Sequence, residues 1–177
     1  MSAILETSRL LLRHLTLGDL DELYALYSDI EIRKFFPEGI LSYEETREEL
    51  EWHMHGHPDH PELGLWATIH KETGKFIGRC GLLPWEIDEK LEIEVAYLLD
   101  KNFWHQGLAT EAATGILEYA FNTLDLSRII CLMDPDNGAS QNVAKRIGMT
   151  LERKVDGIAG DNFPTLIYAI NRSVASH

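Results

Sequence analysis

The chain has no run of roughly 18 apolar residues, the length a helix needs to cross a bilayer. Its start, M-S-A-I-L-E-T-S-R-L, shows no basic segment followed by a long apolar one. A cytoplasmic protein without a membrane partner is expected. Cysteine is scarce: Cys80 and Cys131 stand alone in F-I-G-R-C-G-L-L and R-I-I-C-L-M. Two isolated thiols form neither a disulfide framework nor a metal cluster, so both are expected in the core. Positive charge is also short, with 16 Lys and Arg against 29 Asp and Glu and a net charge of -13. That shortage argues against a broad nucleic-acid surface, which needs clustered cations, and mildly favours amine-bearing partners. Glycine-rich dinucleotide fingerprints and G-x-x-x-x-G-K-[ST] are both missing, which sets aside the corresponding nucleotide folds.

What is present fits one compact domain over residues 1–177, since 45% of residues are hydrophobic and no repeat or composition shift marks a linker. Alternation predicts a strand from Leu5 to His14, and Thr16 opens a helix reaching Tyr27. A second helix is expected from Ser42 to about His55, because Ser42 and Glu45 form an S-x-x-E capping box. L-G-L-W-A-T-I-H, K-F-I-G-R-C-G-L-L and L-E-I-E-V-A-Y-L-L read as antiparallel strands joined through K-E-T-G and P-W-E-I-D-E-K. A helix from about His105 to Leu124, a strand through S-R-I-I-C-L-M, a short helix ending at Gly148 and two last strands complete the order. The order β-α-α-β-β-β-α-β-α-β-β places helices on the faces of one mixed sheet, an α+β arrangement.

The strongest chemical signal is N-F-W-H-Q-G-L-A-T-E, Asn102 to Glu111, where a strand gives way to a helix through small residues. Gly107, Ala109 and neighbouring amides are placed to hold an anionic phosphate, because the first N–H groups of a helix lack intrahelical acceptors. Glu92 and Glu94 alternate with Ile93 and Val95, so both carboxylates share one strand face. Phe35 and Phe36 precede P-E-G and are candidates to line an acceptor channel, a core anchor being the alternative for at least one. The histidines His53, His55, His57 and His60 lack H-E-x-x-H spacing and are expected in a loop or at a substrate rim without a metal. Trp52, Trp66 and Trp85 are expected to pack, and Arg9 and Arg13 share a strand face that structure alone explains.

Taken together, T-S-R-L-L-L-R-H-L-T-L-G-D-L, G-R-C-G-L, I-E-V-A-Y-L-L, W-H-Q-G-L-A-T-E-A and D-N-G-A-S-Q-N-V-A-K-R-I-G-M resemble, in this order, the GCN5-related N-acetyltransferase (GNAT) superfamily. The similarity is to its ribosomal-protein N-terminal acetyltransferase (RimJ/RimL-type) branch and covers nearly the whole chain. The resemblance implies a strongly twisted central mixed sheet flanked by helices, with a splayed strand pair holding acetyl-CoA. Coenzyme contacts then fall at Tyr97, Leu98 and Leu99 on the splayed strand. The loop contributes His105, Gln106, Gly107, Leu108, Ala109 and Thr110, and the later helix Asn137, Ser140 and Lys145. Trp104 departs from the usual Gln or Arg at the first loop position, and His105 stands where the branch often has glycine. A histidine there would be unstrained in an α or β conformation.

The implied reaction is direct attack of an unprotonated amine on the acetyl-CoA thioester, releasing CoA, with no metal. Glu94 maps to the branch's E-I-G-Y glutamate and is the candidate base, while Glu92 is a candidate on the substrate side. The superfamily's usual tyrosine acid maps to Ala144, which leaves Ser140 as the candidate to hydrogen-bond the CoA sulfur; capping of its own helix is the alternative. Asn137 aligns either the pantetheine or its own turn. Lys145 and Arg146 lie toward the 3'-phosphate or simply face solvent. The acceptor is an amine on a protein, a peptide or a small molecule, a non-catalytic acetyl-CoA-binding module being the outlying alternative. A homodimer is compatible with the resemblance and left open by the sequence.

Overall fold

A computed structural model describes residues 2–158 and 160–173. Its elements in chain order are β1 (Leu5–Glu6), β2 (Leu10–Arg13), α1 (Leu20–Tyr27), α2 (Tyr43–His53), β3 (Gly64–His70), β4 (Lys75–Ile87), β5 (Lys90–Leu99), α3 (Leu108–Asn122), β6 (Arg128–Met133), α4 (Gly138–Arg146), β7 (Thr150–Val155) and β8 (Thr165–Asn171). They form an eight-stranded sheet ordered β1-β2-β3-β4-β5-β6-β8-β7. Every neighbouring pair is antiparallel except β5 and β6, which run parallel. The α+β arrangement with helices on a mixed sheet is the architecture expected.

Period-2 alternation on β5 decides what each face of the sheet carries. Ile93, Val95 and Leu99 join the core under α3 and α4, where Ala112, Ala113, Ile116 and Ala120 let the helix lie close to the strands. On the other face Leu98 packs with Leu23, Tyr27 and Leu50 beneath α1 and α2. Ile130, Ile167 and Ala169 form a smaller apolar cluster on that same face, toward the far edge. Glu94 lies between these two clusters. The capping box of α2 is present: Ser42 Oγ accepts from the Glu45 amide at 3.2 Å while the Glu45 carboxylate accepts from the Ser42 amide at 2.7 Å. Such reciprocal satisfaction of helix-end donors stabilises by about 1 kcal/mol.

Three element boundaries differ from expectation. The first strand is two, because the chain reverses after Glu6 and pairs Leu5 with Leu12. β4 and β5 run through the P-W-E-I-D-E-K stretch and turn only at Asp88 and Glu89, both with positive φ, and Ile87 pairs with Lys90. Pro84 is tolerated inside a strand because β3 pairs with β4 only as far as Leu82, leaving β4 a free edge for the missing N–H. The third helix starts at Leu108 and not at His105, since a 3-10 turn at Lys101–Phe103 and the loop after it come first.

Candidate active site

β5 and β6 share one ladder position, Glu94 opposite Ile130. From Val95 to Leu99 the β6-facing edge of β5 carries no ladder pair, although its other edge stays bonded to β4 up to Leu99. Backbone N–H and C=O groups left open in this way need partners, and an extended amide-bearing arm supplies them. The strand pair therefore opens as a splayed cleft beside Tyr97, Leu98 and Leu99.

At the mouth of the cleft Gly107 caps α3 with φ +75, leaving the amides of Leu108, Ala109 and Thr110 without intrahelical acceptors. His105 also has a positive φ, +61, outside the α and β regions in which a histidine is unstrained. A left-handed histidine is uncommon and strained; glycine would adopt that backbone freely. The loop is tied down from a distance. Arg9 donates through Nη1 to the Gln106 carbonyl at 2.9 Å and through Nε to Glu111 at 2.7 Å. Against the pull of burial, the Thr7 hydroxyl and the Arg9 amide and guanidinium hold Glu111 below the usual carboxylate range. Arg9, which the sequence assigned to structure alone, thus brings a half-exposed cation to the anion loop, with Nη2 3.6 Å from where a Cβ on Gly107 would sit. Trp104 turns inward instead, donating from Nε1 to the Leu99 carbonyl at 3.0 Å.

On the cleft's other wall Asn137 caps α4, its side chain accepting from the Ser140 amide at 3.1 Å, so it serves its own turn. The Ser140 hydroxyl instead meets the Tyr97 hydroxyl at 3.0 Å, and the Cys131 thiol lies 3.6 Å from that phenol. Burial, then the neighbouring Cys131, keeps Tyr97 protonated by pushing its pKa up; burial, then Glu94, pushes the Cys131 thiol up to about 12. Sequence reasoning placed Tyr97 in the cleft through its backbone and missed its hydroxyl. The signal lay in the missing tyrosine at Ala144, which left room for a phenol from another element.

Glu94 is buried, 8% exposed, and burial pushes its pKa up to about 8. The Arg79 charge, the Leu132 amide and the Trp85 indole oppose that rise without cancelling it. The indole N–H of Trp85 has no hydrogen-bond acceptor at bonding geometry, so its pull on Glu94 is weak. Glu92 is withdrawn from the acceptor role expected of it. Arg128 holds its carboxylate at 3.0–3.2 Å and bridges it to Glu152 at 2.8–2.9 Å, knitting β5, β6 and β7 together. Phe36 packs into the α1–α2 core and Phe35 is half-buried beside it in the chain. Lys145 is exposed in the last turn of α4, where its charge complements the helix dipole.

Among the other candidates, Trp66 packs in the core edge-on to Tyr119 and Trp85 is half-buried, but Trp52 is exposed, contrary to expectation. Of the loop histidines, His53 is buried, accepts from the Leu65 amide, and is pushed down to about 4 by that burial. No group of three His, Cys, Asp or Glu among the described residues could hold a metal ion, and no described helix is long and apolar enough to cross a membrane. Both cysteines are free and buried. A hollow of about 620 Å³ lies between the Ile4–Ser8 segment and α3, away from the splayed strands.

The Acetyltransferase (GNAT) domain family matches residues 9–150, which span this site. The protein YkkB of Bacillus subtilis is 32% identical over 152 residues, covering 85% of this chain and 87% of its own. Two solved structures share the fold at 21% identity. The RimL ribosomal L7/L12 alpha-N-protein acetyltransferase in complex with coenzyme A has a TM-score of 0.77 and covers 96% of this chain and 98% of its own. The spermidine N-acetyltransferase of Vibrio cholerae, in complex with CoA and spermine, has a TM-score of 0.75 and covers 93% and 96%. With the open β5 edge, the exposed helix amides and a buried carboxylate on one cleft, the chain belongs to the GNAT superfamily and is an acetyl-CoA-dependent acetyltransferase.

Proposed function

We propose that this chain N-acetylates the α-amino group of an amino acid, peptide or protein N-terminus. The observation that carries the reading is Glu94, buried at the cleft with a pKa near 8. An α-ammonium has a reference pKa of about 8, so passing its proton to Glu94 is close to thermoneutral. A lysine or polyamine ammonium at about 10.4 makes the same transfer uphill by roughly 3 kcal/mol. The solved structure named as an alpha-N-protein acetyltransferase supports the α-amine, and the one named for spermidine supports a small amine as the second reading. Two free, buried cysteines suit a cytoplasmic setting.

When bound, acetyl-CoA supplies the activated acyl group. The open edge of β5 from Val95 to Leu99 fits its pantetheine amides, and the amides of Leu108, Ala109 and Thr110 with Arg9 fit its pyrophosphate. Glu94 in its ionised form accepts the amine proton. The unpaired strand N–H groups around Tyr97 would stabilise the negative charge that the thioester carbonyl oxygen gains. Tyr97 and Ser140 share one hydrogen bond between their hydroxyls at the wall of the cleft, and the O–H left over from that bond would donate to the departing sulfur, the part the sequence assigned to Ser140 alone.

Thiol release from acetyl-CoA, read across N-terminal peptides, amino acids and polyamines with mass detection of each product, tests the reading. The expected result at pH 7 is a kcat/KM for α-amines at least about 10-fold above spermidine or a lysine side-chain amine. Turnover confined to polyamines would overturn it. Tyr97→Phe and Ser140→Ala are each expected to lower kcat about 10-fold while leaving acetyl-CoA binding nearly unchanged. The double variant should lose less than the product of the two, because the hydroxyls act as one unit.

A further inference from the structure

Behind Glu94, on the same face of the sheet, two guanidinium groups are buried together. Arg33, in the segment between α1 and α2, is 3% exposed, and Arg79 on β4 is 5% exposed. The Cζ of Arg33 lies 4.1 Å from the centre of the Phe36 ring and 4.9 Å from that of Tyr27; Arg79 Cζ stands 5.6 and 5.7 Å from the same two rings. Each arginine uses its Nε: Arg33 donates to the Gly39 carbonyl at 2.8 Å and Arg79 to the Tyr27 hydroxyl at 2.8 Å. Their four Nη atoms have no hydrogen-bond acceptor among the described residues. Among the described residues, fully covered side-chain N and O atoms that lack a partner are confined to His14 Nδ1 and Trp85 Nε1, so these Nη atoms border accessible space.

Two carboxylates, Glu49 and Glu38, act on the pair, but neither accepts a hydrogen bond from a guanidinium. Tyr27 donates its hydroxyl hydrogen bond to Glu49, whose charge acts on both arginines. Glu38 reaches only to 3.7 Å from Arg33 Nη2 and is 66% exposed, too distant for a hydrogen bond. His53 beside them is neutral at pH 7. Burial, and then the charge of Arg79, lower the Arg33 pKa, the mark of two like charges held together out of water. Buried guanidinium groups are retained where planar, bidentate recognition of an anion offsets the cost of desolvating them.

Register sets the distance to the chemistry. Arg79 pairs with Leu98, and Glu94 lies four residues back along β5, on the order of 13 Å of strand. Between them on this face stand Gly81 and Ala96, paired and without bulky side chains, with the Gly64 backbone closely flanking Gly81.

We propose that Arg33 and Arg79 form a receptor for a carboxylate carried by the acceptor amine, so that Glu94 takes the ammonium end and the arginines the carboxylate end of one compact zwitterionic group. This rests on the reading of Glu94 as the acceptor site. The carboxylate is either the α-carboxylate of a free amino acid or an acidic side chain next to a peptide's N-terminus.

The test compares acceptors that differ only in carboxylate against carboxamide: free amino acids with their amides, and peptides with Asp against Asn at the second position. The wild-type protein should favour the carboxylate at least about 100-fold in kcat/KM in one series, and that series identifies the source. Arg33→Met and Arg79→Met should shrink the ratio to within about 3-fold, mainly through KM, and Arg79→Lys, a gentler change to the fold, should leave an intermediate ratio. Equal use of carboxylate and amide in both series would overturn the receptor while leaving N-acetylation standing, as would a ratio untouched by both methionine variants. If no amine turns over, the proposed function fails, and calorimetric titration of the same pairs onto the CoA complex decides the receptor: equal or absent binding overturns it, and selective binding of the carboxylate supports it.

Discussion

Glu94→Gln is expected to lower kcat/KM by about 100- to 1000-fold, the usual contribution of a positioned general base. In the wild-type protein kcat/KM should climb with pH until Glu94 is ionised, near pH 8, whereas the variant should follow only the titration of the amine itself. An unaltered pH profile would remove Glu94 from the proton path. Stability should move in the opposite direction. A carboxyl raised from its ordinary value near 4.5 to about 8 keeps a proton in the folded state that the unfolded chain gives up across that window. Its contribution is therefore intact below pH 4.5 and lost as pH rises toward 8. The variant should match the wild type in Tm near pH 4 and exceed it by several degrees at pH 8, which thermal melts at the two pH values would read. Activity and stability at this residue pull against one another, as at sites kept strained for use.

A single methyl group on Gly81 should cost the fold several kcal/mol. The Cβ of an alanine there would sit 1.9 Å from the Gly64 carbonyl oxygen and 3.1 Å from the Leu65 Cα, both backbone atoms that cannot swing aside. Relief requires β3 and β4 to part at the place where β4 carries Arg79 to one side and meets Glu94's strand on the other. Urea denaturation should show a midpoint lowered by well over 1 M, using a slope of about 2 kcal/mol per M for a chain of this class. Gly138→Ala is the control: nothing lies within 4 Å of its Cβ position, and alanine is the better helix former at the start of α4, so its midpoint should hold or rise. A wild-type midpoint for Gly81→Ala would show that the strands yield more easily than their backbone contact implies.

The parts of this fold that announce themselves in sequence are those governed by neighbours in the chain. The Ser42–Glu45 box, the alternation through Glu94 and the small residues of α3 each express a local rule, and each stands where expected. The free amides at the start of α3 were legible for the same reason, because they follow from the helix itself. What escaped depends on contacts between distant segments. Asp88 and Glu89 make a two-residue turn without the glycine or asparagine that normally signals it, and the register of thirteen-residue β4 against β5 imposes it. His105 takes a glycine-like conformation because Arg9, 97 residues before Gln106, holds the loop. Glu92 looked equivalent to Glu94 by periodicity, and only the arrival of Arg128 from β6 separates their fates. Tyr97 and Ser140 are 43 residues apart, and Arg79 and Tyr27 are 52 apart, so no window of sequence contains either pair.

The bond from Arg9 to Gln106 and Glu111 makes the proposed coenzyme loop a property of the sheet's outermost edge. β1 is two residues long and β2 four, too little to persist without a partner, and the helix that they brace begins at the loop proposed to hold the pyrophosphate. Whatever steadies the loop must, by thermodynamic reciprocity, steady the first dozen residues by the same free energy. A segment that a map of the cleft alone would treat as a dispensable leader is thus one of the two jaws of the clasp.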